Sequence, residues 1–327
     1  MELNTILQIL LLIVGFILLI KGADWLVSGA SSVASNFKVS KQLVGLTIVA
    51  FGTGAPELAV AISSLVSGNT DMLLGNVIGS NILNILLLIG VAAVINPIKI
   101  NRNTISKELP LLLLISTALV VLFMDTSLAG ATSNIITRSD AIICTLFFAI
   151  FLYYIIYMTR KDKKTKDKVG KPKYKLGKSF LFVAIGLVGV VAGSQLVVSS
   201  ASTIASNIGI SDRIIALTVV AFGTSLPELV TTITAAKRGE NELLVGNIIG
   251  SNIFNICIVL GIPGAIFGTI TPDSFEAIDI VMLIGSAALL WIVARRGSRI
   301  TRREGILMLV VFTLYYSYII YGALATI

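Results

Sequence analysis

Residues Ala50–Glu57 read AFGTGAPE and Ala221–Glu228 read AFGTSLPE. Each sets a carboxylate directly after a helix-breaking proline, inside an apolar segment long enough to cross a bilayer. Proline donates no hydrogen bond and its ring clashes with the preceding turn. The carbonyls of Gly52 and Gly223 therefore lose their usual donors, and those of Ala50, Thr53, Ala221 and Thr224 are expected to lose regular partners with them. Irregular backbone at membrane depth is tolerated where it is enclosed by protein or lines a cavity. Carbonyl and carboxylate oxygens together suit a hard cation. Glu57 and Glu228 fall where a helix restarts, at the positive end of its dipole, which favours an ionised carboxylate. Two such centres predict an ion-transporting membrane protein.

A second polar pattern accompanies each centre. Asn76, Ser80 and Asn84 recur every four residues, as do Asn247, Ser251 and Asn255, a spacing that lays each trio along one helix face. Gly75 with Gly79, and Gly246 with Gly250, add the small-xxx-small pattern that lets two helix backbones approach closely. Ser80, Asn84, Ser251 and Asn255 are read as ligands or pore-lining groups; Asn76 and Asn247 could equally bond a neighbouring backbone. A glutamate in a membrane helix can also be a structural ion pair, but no Lys or Arg occurs within either motif. A charge at the helix centre costs about 2.5 to 3.5 kcal/mol on insertion scales, so intramembrane acids mark function by default. Asp24, three residues after Lys21, reads instead as half of a local ion pair. Its counterpart in the second half is Gln195. Cys144 and Cys257 lie in apolar surroundings with no metal-binding or disulfide spacing.

The elements that must carry these groups follow from composition. The 327 residues are 56% hydrophobic and only 13% charged, against about 25% charged in ordinary globular domains. At roughly 20 residues per crossing, ten spans are expected: 6–35, 40–67, 71–95, 108–124, 138–159, 179–206, 211–237, 242–267, 277–294 and 304–325. The first lacks the basic leader of a secretory signal and is read as a retained helix. The two halves are copies: Glu57 and Glu228 are 171 residues apart, and the same offset aligns Gly22 with Gly193, Ser28 with Ser199, Gly79 with Gly250 and Gly90 with Gly261. The expected division is a first five-helix unit over 1–159 (motif 50–84), a basic loop over 160–178, and a second unit over 179–327 (motif 221–255). An odd number of spans per copy inverts the second relative to the first. That gives an all-α membrane protein of ten helices in two inverted repeats, a recurrent plan of secondary transporters with the site at the midplane.

The loop 160–178 carries ten Lys or Arg and two Asp, so the whole net charge of +8 resides there. The positive-inside rule places it in the cytoplasm, and its Lys-rich, Gly- and Pro-interrupted sequence reads as a solvated linker. The other connections alternate accordingly. Lys38 and Lys41, then Lys99, Arg102 and Lys107, then Lys237 and Arg238, then Arg295, Arg296, Arg299, Arg302 and Arg303 fall inside. Asp71, then Asp125, Arg138 and Asp140, then Asp212 and Arg213, then Asp273, Glu276 and Asp279 fall outside. Both termini are then expected outside.

The motifs GTGAPEL and GTSLPEL, followed by GNVIGSNILN and GNIIGSNIFN, resemble the α-1 and α-2 repeats of the sodium/calcium exchanger family within the calcium/cation antiporter superfamily. The resemblance covers nearly all ten spans. It implies export of Ca2+ coupled to Na+ entry by alternating access, with Glu57, Glu228 and the carbonyls of Thr53 and Thr224 around Ca2+. It further implies Ala50, Ala221, Ser80, Ser225 and Ser251 lining flanking Na+ sites, and Asn84 and Asn255 completing the middle. Gly54 departs from that pattern, because the family's first repeat usually has a serine there; weaker Na+ binding, or a water in the hydroxyl's place, is the expectation. Asn84 and Asn255 are uncharged, which favours a potassium-independent exchanger.

On charge alone, two glutamates are neutralised by one Ca2+ or two Na+, so the two loads compete for one site. A proton-coupled cation antiporter, a potassium-dependent exchanger and a channel use similar residues, and inverted repeats make the channel the weakest of these. An intramembrane enzyme fits poorly, because the chain has no histidine and so neither a Ser/His dyad nor an H-E-x-x-H site. The expected partners are Ca2+, Na+ and the lipid bilayer of the plasma membrane. No resident cofactor and no nucleic acid is expected, and the chain is read as a monomer.

Overall fold

In a computed structural model of the chain, residues 3–128, 130–161, 171–207, 221–271 and 277–325 are described. In hydrocarbon every backbone N–H must find its acceptor within the segment, and the chain is helical almost throughout. Among the described residues, eight helices are long and apolar enough to cross a membrane: Ile6–Phe37, Thr70–Ile95, Thr104–Phe123, Arg138–Met158, Leu176–Asn207, Asn241–Phe267, Ala277–Gly297 and Arg302–Tyr321. A ninth crossing is broken: Lys41–Thr53 and Ala55–Val66 meet at 44°, at the expected proline. Of the expected span 211–237, the second part is seen as Ala221–Thr224 and Leu226–Lys237. Its first part, with Asp212 and Arg213, lies outside the described residues, as do Asp273, Glu276 and the centre of the basic loop. The fourth crossing begins at Thr104 rather than 108, because a π-helical turn over Thr104–Glu108 extends it.

Element bounds recur at the sequence offset. Ala55–Val66 and Leu226–Lys237 are each 12 residues long. Thr70–Leu83 and Asn241–Phe254 are each 14, and each runs on into a π-helical turn, from Asn84 and from Asn255. Between broken helix and stripe helix the chain reverses at Gly68 (φ 73°) and Gly239 (φ 70°), a left-handed conformation that favours glycine.

Two long helices, Leu3–Phe37 and Leu176–Asn207, cross with their backbones in contact. A Cβ on Gly22 would stand 2.7 Å from the Val190 amide nitrogen, one on Gly186 2.5 Å from that of Leu26, and one on Gly193 2.7 Å from that of Leu19. Gly246 and Gly250 likewise meet the carbonyls of Gln42 and Leu46, so the second stripe helix is pressed onto the first broken helix. The counterpart contact of Gly75 and Gly79 would involve residues 213–217, outside the described residues.

The connections sort to two ends. Lys41 pairs with Glu240 at 2.6 Å, Arg238 with Asp24 at 2.7 Å, and Asn101 donates to Glu242 at 3.0 Å. Ile98–Lys99 forms a two-residue ladder with Arg299–Ile300, and the Tyr174 carbonyl accepts from Ser32 and Asn36. Every basic connection named above is thereby gathered at one end. At the other, Ile136 bridges Ile270, Thr70 donates to the Thr271 carbonyl and Arg138 to that of Ile266. The ion pair of Asp24 is a correction: it joins Arg238 across the fold rather than Lys21, because the helix Leu226–Lys237, which Arg238 ends, packs against Leu3–Phe37.

Since the glycine contacts leave no room for a methyl group, Gly22→Ala should destabilise the detergent-solubilised protein by about 1 to 3 kcal/mol, the usual cost of overpacking. Gly285→Ala, inside a helix at a position with open space around it, should leave the thermal midpoint unchanged or raise it in the same assay, since alanine favours a helix over glycine.

Candidate cation site

Glu57 lies in the first turn of Ala55–Val66 and Glu228 in that of Leu226–Lys237, each with a proline in that same turn. Proline is tolerated there because the first amides of a helix have no intrahelical acceptor. The break that costs a hydrogen bond upstream thus starts a helix downstream, and its dipole favours a carboxylate. Both side chains are 1% exposed, and they stand close enough to repel one another.

Neither has a basic partner: among the described residues the ion pairs join Lys41 to Glu240 and Arg238 to Asp24. The Ser225 hydroxyl is directed at the Glu57 carboxylate and lies 3.4 Å from that of Ser80. The Thr53 hydroxyl faces Glu228 but spends its proton on the Val49 carbonyl at 3.1 Å. Oε2 of Glu57, both carboxylate oxygens of Glu228, and Oδ1 of Asn84 and of Asn255 are buried with no hydrogen-bond donor. Buried polar groups are nearly always satisfied, and an uncompensated buried charge costs several kcal/mol. A cluster of acceptor oxygens around two carboxylates, with no described basic side chain paired to either, is chemically suited to hold a cation.

Contacts across the two halves close this cluster. Ser80 meets Ser225, Asn84 donates to Asn252 at 3.1 Å, and Thr53 approaches Asn247 at 3.5 Å. Asn76 donates to the Glu57 carbonyl at 3.3 Å, the backbone role left open for it. Ser251 is buried with its hydroxyl unpartnered. Thr224 is half-buried and engaged in contacts of its own, and the side chain of Ala221 is outside the description.

Two backbone expectations change. The Ala50 carbonyl keeps a regular partner, the Gly54 amide at 3.0 Å, because the helix breaks only after Gly54. The Gly223 carbonyl, freed by Pro227, is taken by the Ser194 hydroxyl at 2.7 Å. The residue 171 positions before Ser194 is Ala23, so the Gly52 carbonyl has no equivalent hydroxyl. Ser194 and Asn252 were not singled out from the sequence. The repeated Ser-Asn pairs at 80–81 and 251–252 were a signal for the latter, whereas a lone serine in an apolar helix gave none for the former.

The family profile described as sodium/calcium exchanger protein matches residues 7–157 and 178–321. The chain belongs to the sodium/calcium exchanger family. It is 38% identical to a putative antiporter, CaxA, from Alkalimonas amylolytica, over 95% of this chain and 98% of that protein. It is 28% identical to the sodium/calcium exchanger MaX1 from Methanosarcina acetivorans, over 94% and 96%. The solved structure of the sodium-calcium exchanger NCX_Mj superimposes with a TM-score of 0.82 at 32% identity, covering 96% of this chain and 99% of that one. Membership makes the protein a multi-pass, all-helical membrane transporter of the cation antiport type rather than an enzyme.

Because Ser194 replaces the donor that Pro227 removes, Ser194→Ala should cost about 1 to 3 kcal/mol, the penalty of leaving a buried carbonyl unsatisfied. A lowered thermal midpoint in detergent checks this, with Ser194→Thr expected to recover most of it.

Proposed function

We propose that this exchanger-family member moves Ca2+ out of the cell in exchange for Na+, by alternating access and without K+. The observation that carries the reading is a pair of buried carboxylates with unpaired oxygens and no basic partner among the described residues. In this reading Ca2+ is held by Glu57, Glu228 and the carbonyls of Thr53 and Thr224. Na+ is held by the same carboxylates and by the oxygens that border them, from Ser80, Ser225 and Ser251 and the carbonyls of Ala50 and Ala221. The amide oxygens of Asn84 and Asn255 complete the middle.

The mechanism follows from charge. Apart, the two carboxylates repel; with Ca2+ or two Na+ between them they are neutral, and the loaded centre no longer pays the cost of buried like charges. Either load permits the transition between access states, and the unloaded site, carrying two negative charges in a dry interior, resists it. That is the condition for obligatory exchange. Recurrence of element bounds at 171 residues supports ten crossings in two inverted five-helix repeats. Gathering of the basic connections at one end supports a cytoplasmic placement of that end in the plasma membrane, with both termini outside. Uncharged Asn84 and Asn255 support independence from K+. Since both centres lie in one chain, a monomer suffices.

Radiolabelled Ca2+ uptake into proteoliposomes under imposed Na+, K+ and H+ gradients tests this. Uptake is expected with an outward Na+ gradient alone, and with neither of the other two alone. Glu57→Gln and Glu228→Gln should each bring it to background. Full Na+-driven uptake by Glu228→Gln, or uptake driven by a pH gradient without Na+, would overturn the proposal.

A further inference from the structure

The two centres differ on one side. Next to Glu57, Ser80 and Ser225 bring two hydroxyls within 3.4 Å of each other, with Ser225 directed at the carboxylate. The counterpart positions 171 residues away are Ser251 and Gly54. Gly54 contributes no hydroxyl, and that of Ser251, a residue 1% exposed, has no hydrogen-bond partner. One half therefore holds a matched pair of oxygens, and the other a single orphan.

The backbone does not require glycine at this break. Gly54 has φ −79° and ψ 2°, and Ser225 adopts nearly the same conformation at φ −90° and ψ 4°. Both lie at negative φ, which any residue can adopt. A Cβ on Gly54 would stand 2.9 Å from Cδ1 and 3.1 Å from Cε1 of the Phe254 ring, and 3.0 Å from the Ala50 carbonyl oxygen of its own helix; of these the ring is the neighbour that differs between the two halves. The ring cannot simply swing away. Phe51 packs against it at 5.1 Å between centroids, and Phe148 backs Phe51 at 5.4 Å. The counterpart of Phe254 in the first half is Leu83, a smaller side chain without a flat edge to present to the break. A water in place of the missing hydroxyl would need room and two to four polar partners, and here an aromatic edge takes the room. Gly54 and Phe254 are thus a complementary pair, one residue emptied of its side chain and the other enlarged into the space.

We propose that Phe254 closes the flanking monovalent-cation position beside Glu228, leaving one such position, at Glu57, Ser80 and Ser225, in addition to the central one. The proposal rests on the exchange reading above and deepens it. Two Na+ then replace one Ca2+, and the exchange moves no net charge. Phe254 acts as a specificity determinant that sets the coupling ratio without itself touching an ion, and Ser251, without a second hydroxyl beside it, borders only the central position.

The experiment is the steady-state Ca2+ accumulation ratio in proteoliposomes at a fixed Na+ gradient, read while the membrane potential is stepped. The wild-type ratio is expected not to change with potential, and initial rates should rise with Na+ with a Hill coefficient of about two at most, the number of Na+ exchanged. Gly54→Ser combined with Phe254→Leu, which reproduces the arrangement of the other half, should make the ratio shift about 50-fold per 100 mV, the equivalent of one added charge at about 2.3 kcal/mol. A wild-type ratio that already shifts with potential overturns the inference while leaving Na+/Ca2+ exchange intact. So does a double variant that still accumulates Ca2+ and remains insensitive to potential. Absence of any Na+-driven uptake by the wild-type protein instead overturns the exchange reading itself. The wild-type measurement decides the ratio even if the double variant does not fold.

Discussion

Two like charges enclosed together without a counter-charge are the constraint on which the rest of this molecule depends. Glu57 and Glu228 are shielded from water and from every basic side chain described, and each sits where a proline has interrupted one helix and begun another. Neither position is stable in isolation, because a buried charge must be paired or coordinated. The surrounding structure compensates through geometry: helix starts that favour carboxylates, a ring of amide and hydroxyl oxygens, and enclosing helices brought close by glycine. Together these leave carboxylate and amide oxygens without donors at the centre, an arrangement suited to a hard cation.

Rigidity and looseness are distributed unevenly around that centre. The long helices Leu3–Phe37 and Leu176–Asn207 touch backbone to backbone through Gly15, Gly22, Gly29, Gly186 and Gly193, a contact that resists separation. What ties this pair to the rest at the basic end is different in kind. Asp24 with Arg238, and Lys41 with Glu240, are partly exposed ion pairs, a class worth about 0 to 1 kcal/mol. Antiport requires access to alternate between the two sides, and weak polar ties at one end are compatible with being broken and remade in each cycle. A glycine-lined seam is not.

Much of this was legible in the residues before any coordinates. The proline-glutamate motifs located both centres, the offset of 171 residues anticipated element bounds that recur to the residue, and charge alternation anticipated which connections meet. These succeed because they rest on local chemistry: proline breaks a helix wherever it falls inside one, and duplicated sequence makes the same turns. What the sequence left unread was mainly which partner each polar group would meet. Asp24 finds Arg238 rather than Lys21, the Gly223 carbonyl finds Ser194, Asn84 finds Asn252, and the Ala50 carbonyl keeps its own helix partner. The glycine at position 54 was conspicuous in the sequence, but its cause was not, since Phe254 is 200 residues away and reaches it only through packing. Spacing reports what a segment will do; it does not report what will be pressed against it.

Equilibrium binding of Ca2+ to the purified protein at increasing Na+ concentrations examines the central claim most directly. If the two carboxylates form one shared site, the apparent Kd for Ca2+ should rise steadily with Na+ while the binding capacity stays at a single ion per chain, and Glu57→Gln should abolish both binding and competition. A Ca2+ affinity indifferent to Na+, or a Kd that holds constant while capacity falls, would contradict a single site contested by two cations.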